Sequence, residues 1–82
     1  MPLSSAIKAG KYRHYKGGLY NVLGVARNTE TLEELVVYEQ LYEAKDFPRG
    51  TLWARPLKMF LEKVLVDGVE KPRFELVKTV VP

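Results

Sequence analysis

The sequence predicts an all-β, or β-dominant, domain. About five or six short antiparallel strands would form a small barrel or roll, with one or two helical turns. Three observations lead there. Apolar and aromatic residues alternate with polar ones in short runs. Glycine turn signals, Gly17-Gly18 and Asp67-Gly68, separate those runs. Gly24 interrupts a β-branched stretch, as a bulge or sharp bend would, and such bends let a small sheet curl.

In chain order, residues 1–9 show no periodicity and read as a flexible arm. The domain proper is expected over residues 10–77, with residues 78–82 as a tail. Lys11–Tyr15 alternates, with Tyr12 and His14 on one face and Arg13 and Tyr15 on the other. Lys16-Gly17-Gly18-Leu19 fits a two-residue primed turn, since glycine supplies positive φ. Leu19–Arg27 is a second strand, bent at Gly24. Asn28–Glu34 is a polar loop in which Thr31 and Glu34 fit a capping box. Leu35–Tyr42 is a third strand by β-propensity. A helix over Thr31–Tyr42 is the alternative, opposed by Val36-Val37-Tyr38. Glu43–Gly50 is a loop punctuated by Pro48 and Gly50, and Thr51–Arg55 is a short strand around Trp53. Pro56 can open a helical turn, with Leu57, Phe60 and Leu61 on one side. Lys63–Val66 and Val69–Val77 make a second hairpin about Asp67-Gly68.

The chain has 82 residues, enough for one domain with a modest core. It has no cysteine and one histidine, which removes disulfides and leaves too few typical ligands for a structural zinc. No cofactor is expected. No apolar run approaches the roughly 20 residues of a membrane helix, and the N-terminus lacks a signal-peptide pattern. A cytoplasmic setting is the expectation. The net charge of +3 is unevenly spread. Lys8, Lys11, Arg13, Lys16 and Arg27 lie in an acid-free first third. Glu30, Glu33, Glu34, Glu39, Glu43 and Asp46 then face Lys45 alone. Either a basic patch for an anionic partner results, or the two segments neutralise each other in the fold.

Gly10-x-Tyr12-Arg13-His14-Tyr15-Lys16-Gly17, then Tyr20-x-Val22-Leu23-Gly24-Val25-Ala26-Arg27, resembles the opening of a mainly bacterial family of unknown function, family 1653. Thr29–Tyr38, Leu41-Tyr42, Trp53-x-Arg55-Pro56-Leu57-x-Met59-Phe60, Val66-Asp67-Gly68 and Pro72-Arg73-Phe74 continue it, so the resemblance spans Gly10 to Leu76. It implies an SH3-like barrel or roll and no established activity, substrate or cofactor. The family usually carries histidine where this chain has Asn28, so a role needing a second histidine there does not transfer.

Candidate functional residues are His14, Tyr15, Arg27, Glu30, Tyr42, Trp53 and Arg55. Trp53 and Arg55 share a strand face. Exposed, they would form a flat platform for a peptide, a base or an anion. Buried, Trp53 packs and Arg55 pairs with a carboxylate such as Glu30. Five tyrosines suit barrel rims and binding grooves, and SH3-like rims bind extended peptides. The leading reading is therefore a non-enzymatic module in which Tyr15, Arg27, Trp53 and Arg55 hold a peptide or protein segment. Single-stranded nucleic acid held by Lys11, Arg13 and Lys16 is one alternative. An enzyme with His14 as base and Glu30 as its orienter is another, though no nucleophile or phosphate-loop motif accompanies it. No catalytic residue is assigned. The chain is expected as a monomer, or as a homodimer through an edge strand such as Thr51–Arg55.

Overall fold

Seven strands and one helical turn follow one another in the computed structural model, which describes residues 7–77. They are β1 (Gly10–His14), β2 (Leu19–Arg27), β3 (Glu34–Gln40), β4 (Leu52–Pro56), α1 (Leu57–Phe60), β5 (Lys63–Val66), β6 (Val69–Pro72) and β7 (Phe74–Leu76). All pairings are antiparallel. One sheet has the order β4-β3-β2-β1-β7, and β5 with β6 forms a separate hairpin. The fold is all-β. The five-stranded sheet does not close on itself, because β4 and β7 each have one neighbour.

Alternation fixes which face is buried. Tyr12, Val22, Val36, Tyr38 and Phe74 point inward and are nearly inaccessible, and Phe60 of α1 covers them. Phe60 and Phe74 stack with ring centroids 4.1 Å apart and planes 5° apart. Tyr12 and Tyr38 meet Phe60 edge-on. The inward row continues through Tyr20, Val25 and Trp53, which pack against this core. Ile7, assigned from sequence to the arm, is 5% exposed and belongs to the core. The Tyr12 hydroxyl donates to the Lys8 carbonyl at 2.8 Å and secures the adjoining backbone. The arm expected over residues 1–6 and the tail over residues 78–82 lie outside the described residues.

The register of β2 on β3 shifts between Val22 and Gly24. Leu23 is the extra residue, half-exposed, and the bulge brings Val25 rather than Gly24 onto the core. The Asp67-Gly68 turn has φ of 52° and 79°, the pair of positive values that a type I′ hairpin requires. The first hairpin differs from its expectation. Gly17 N–H donates to the His14 carbonyl and His14 N–H to the Gly18 carbonyl, which leaves Tyr15-Lys16-Gly17 as a three-residue loop. Gly17 alone takes positive φ, 107°. This is a one-residue bulge turn, and it releases Gly18 for a different task.

The stretch expected as one strand over Val69–Val77 breaks at Arg73. Pro72 has no N–H to extend the small hairpin. The Arg73 N–H bonds the Glu62 carbonyl, and the Arg73 carbonyl accepts from Tyr15 N–H. The chain thereby crosses from β6 to β7 and pairs with β1, placing Phe74 opposite His14. The capping-box helix does not form either. Asn28 Oδ1 accepts from Glu30 and Thr31 N–H, making an Asx turn that leads into β3.

Candidate functional site

The ends of β1 and β2, with the residues just past β3, enclose a cleft of about 510 Å³ lined by His14, Lys16, Gly17, Gly18, Leu19, Tyr20, Leu41 and Tyr42. Three local features build it. The Leu41 N–H bonds the Leu19 carbonyl, which carries the chain past β3 alongside β2. Tyr20 and Tyr42 then meet through their hydroxyls at 2.7 Å, with ring planes 78° apart. Gly18 leaves room for the Tyr42 ring. A Cβ there would lie 2.9 Å from Cε1 and 3.1 Å from the hydroxyl oxygen, closer than side chains tolerate.

Behind the cleft is an aromatic floor. Phe74 receives Tyr20 edge-on, and the His14 ring meets it edge-on with centroids 4.9 Å apart. The Arg55 guanidinium lies 5.7 Å from the Phe74 ring centre, and its Nε–H donates to the Tyr38 hydroxyl at 3.3 Å. Lys16 N–H donates to His14 Nδ1, so the neutral imidazole carries its proton on Nε2.

Electrostatics mark the region as cationic. His14 titrates below the ordinary imidazole value of 6.5, first because it is partly buried and then because Arg55, Arg73 and Lys16 oppose its protonation. The Tyr20 phenol is pushed upward, chiefly by burial and then by its bond to Tyr42, so it stays neutral. Among the described residues, the ion pairs are Lys63 with Glu70 and Arg73 with Glu62; Arg55 has no carboxylate partner.

The lowered His14 value has a consequence for stability. The unfolded chain takes up the proton at a higher pH than the folded one does. Stability from this source is full above the unfolded value near 6.5 and is lost as pH falls through the lower folded value. Urea midpoints measured between about pH 7.5 and pH 5 should therefore fall more steeply in the wild type than in His14→Gln. Equal slopes would show that the imidazole environment does not differ between the two states.

The other predicted residues divide. Tyr42 and His14 join in the cleft. Tyr15, just past β1, sets its ring centroid 4.6 Å from that of His14 and lines a neighbouring depression of about 410 Å³ with Arg13, His14, Val66, Lys71, Pro72 and Glu75. Trp53 is half-buried. Its indole N–H donates to Gln40 Oε1 at 3.1 Å, and its ring meets Phe47 edge-on. Arg27 lies at the other end of β2, donating to the Leu32 carbonyl at 2.8 Å. Glu30 accepts from the Thr29 hydroxyl and does not pair with Arg55. The charges acting on His14 are cationic, so no Glu30–His14 acid–base pair forms. Tyr20, Phe74 and Arg73 were absent from the predicted set. Each reaches the site through strand pairing or a chain crossing that local sequence does not encode, although the Tyr20–Tyr42 pairing could have been sought in the tyrosine-rich rim.

The sequence model for "Protein of unknown function (DUF1653)" matches residues 10–76. The chain belongs to the DUF1653 family. A crystal structure of a DUF1653 protein from Bordetella bronchiseptica superposes with a TM-score of 0.79 at 41% identity, covering 93% of this chain and 94% of that one. No curated protein matches. The DUF1653 blocks in this chain coincide with the cleft and its floor: His14–Gly17 forms the turn, Leu41-Tyr42 one wall, and Pro72-Arg73-Phe74 the crossing beneath.

Proposed function

We propose that this DUF1653 protein is a non-enzymatic binding module that holds an extended segment of a partner protein in the Tyr20–Tyr42 cleft. The observation that carries the reading is a preformed cleft of about 510 Å³ with two phenols and two leucines on a glycine-backbone turn. That volume lies within the roughly 300–1,000 Å³ typical of ligand sites. Aromatic rims of this kind suit extended peptides on SH3-like folds, and the antiparallel sheet with its β2 bulge is compatible with that architecture. The side chains offer stacking, apolar contact and hydrogen bonding, with no nucleophile–base pair. Lack of cysteine supports a reducing, cytoplasmic setting.

Lys11 and Arg13 are exposed on the outward face of β1, whereas Tyr12 and His14 point inward. Of the three cations considered for phosphate contact, Lys16 alone lines the cleft. This favours a peptide over a nucleic-acid strand.

A displayed random-peptide library provides the test, with Gly18→Val as counter-selection, because the added side chain occupies the seat of the Tyr42 ring. Wild-type protein should enrich a peptide class whose affinity drops at least about tenfold in Gly18→Val, a loss of roughly 1.4 kcal/mol. Absence of enrichment, or equal binding by a folded Gly18→Val, would sink the reading. So would stronger, steeply salt-dependent binding to single-stranded DNA.

A further inference from the structure

We propose that Arg55, the Nε2–H edge of His14 and Arg73 form an oxyanion subsite beside the cleft, which takes a carboxylate or phosphate group of the bound segment. The proposal deepens the binding-module reading and rests on it for the source of the anion.

Three independent observations converge. The first is the state of Arg55. Its Nε–H bonds the Tyr38 hydroxyl and its Cζ lies 5.7 Å from the Phe74 ring centre, and these two contacts restrain the guanidinium. Both of its terminal nitrogens have no protein partner among the described residues, and no carboxylate neutralises it. A planar fork with fixed geometry and free N–H groups is the arrangement that receives an oxyanion bidentately.

The second is Arg73. Its Nη2 reaches Glu62 at 3.4 Å, but its Nε–H is buried with no hydrogen-bond partner. A buried unpaired donor of a charged group is costly, by more than a neutral one. Its burial keeps an incoming anion from that N–H, so Arg73 favours a bound anion through its charge rather than by direct contact.

The third is the turn at His14. The Lys16 N–H occupies Nδ1, which commits Nε2 to donation in the neutral ring. Phe74 holds the imidazole edge-on, and His14, Arg55 and Arg73 lie close enough for the two arginines to disfavour its protonation. His14 and Arg55 thus meet the same aromatic ring with no carboxylate paired to either among the described residues, and the Arg73 charge, shared with Glu62, lies within electrostatic reach of His14. Like charges brought together in a partly buried place repel each other, and a bound anion reverses that penalty.

The test uses inorganic phosphate and acetate as probes, followed by NMR at the His14 ring and the arginine Nε–H groups of the full chain. Saturable shifts at His14 and Arg55, with a dissociation constant on the order of millimolar, are expected for a lone anion. Arg55→Gln should abolish them. Arg55→Lys keeps the charge while losing the fork, and should weaken binding by about fivefold or more. Phosphate binding more tightly than acetate would assign the source to a phosphorylated segment, and the reverse to an acidic side chain or chain terminus; either supports the subsite. Non-saturating drift in the wild type overturns it, as does saturable binding that is unchanged in both variants. If the anions fail to saturate while a library-selected peptide still shifts Gly18 and Leu41, the subsite falls and the module reading survives. If the anions bind at His14 and Arg55 but no peptide is ever enriched, the module reading falls and the subsite survives.

Discussion

Phe60→Ala should lower the stability of this domain by about 3–5 kcal/mol, the cost of truncating a buried phenylalanine that its surroundings cannot collapse to fill. Phe60 is 2% exposed and belongs to a four-residue helical turn that packs on β3 and β4. Its ring is stacked on Phe74 and flanked by Tyr12 and Tyr38, each held in turn by its own strand. Those neighbours cannot move inward without breaking ladder hydrogen bonds, so a cavity remains. A domain of this size has only about 5–15 kcal/mol in hand. The urea midpoint should shift far to lower concentration, with the slope little changed. Phe60→Leu should retain most of the stability. A loss under about 1 kcal/mol for the alanine variant would mean that α1 does not close the core in solution.

Gln40→Leu should cost roughly 2–4 kcal/mol despite adding apolar volume, because buried polar partners are left unmatched. Gln40 is 2% exposed. Its amide nitrogen donates to the carbonyls of Tyr42 at 2.8 Å and Phe47 at 2.7 Å, and its oxygen accepts from Trp53 Nε1. One side chain thus fastens the loop after β3 to the sheet and sets the path on which Tyr42 travels. The variant should redshift Trp53 fluorescence, since the indole and its Phe47 partner are released toward water. It should also weaken whatever occupies the cleft, although Gln40 does not line it. Unchanged stability and emission would show that the loop is fastened by other contacts.

Local chemistry explains what could be read beforehand. The Asp67-Gly68 turn requires backbone conformations that few residues accept, so its sequence mark is strong, and a glycine inside a β-branched run marks the Val22–Gly24 bulge. β2 and β5 match their expected bounds, since each abuts a glycine turn, Gly17-Gly18 before β2 and Asp67-Gly68 after β5. Gly17-Gly18 was ambiguous because two glycines serve two purposes. Gly17 takes the positive φ, while Gly18 makes room for Tyr42, a residue far along the chain. Ile7 escaped notice because a single apolar residue has no period. The break at Arg73 escaped because hairpin alternation on both sides hides the change of sheet.

The site was half legible for the same reason. His14 and Tyr42 were singled out from their types and neighbours, and they meet. Trp53 and Arg55 do share a face, as alternation requires, but that face is the inward one. Trp53 therefore fastens the loop through Gln40, and Arg55 lies over Phe74 instead of pairing with Glu30. The acid-rich middle of the sequence does not neutralise the cations around His14. Glu30 sits in the Asx turn beyond the far end of β2, and Glu39 pairs in register with Asn21 and Leu52.

Chemical-shift mapping with a library-selected peptide tests the central claim most directly. The largest changes should fall on His14, Gly17, Gly18 and Leu41, joined by Arg55 where the peptide carries an anionic group. Changes centred on the exposed edge of β4, or on Arg27 and the loop from Asn28 to Glu33, would place recognition elsewhere and contradict the account.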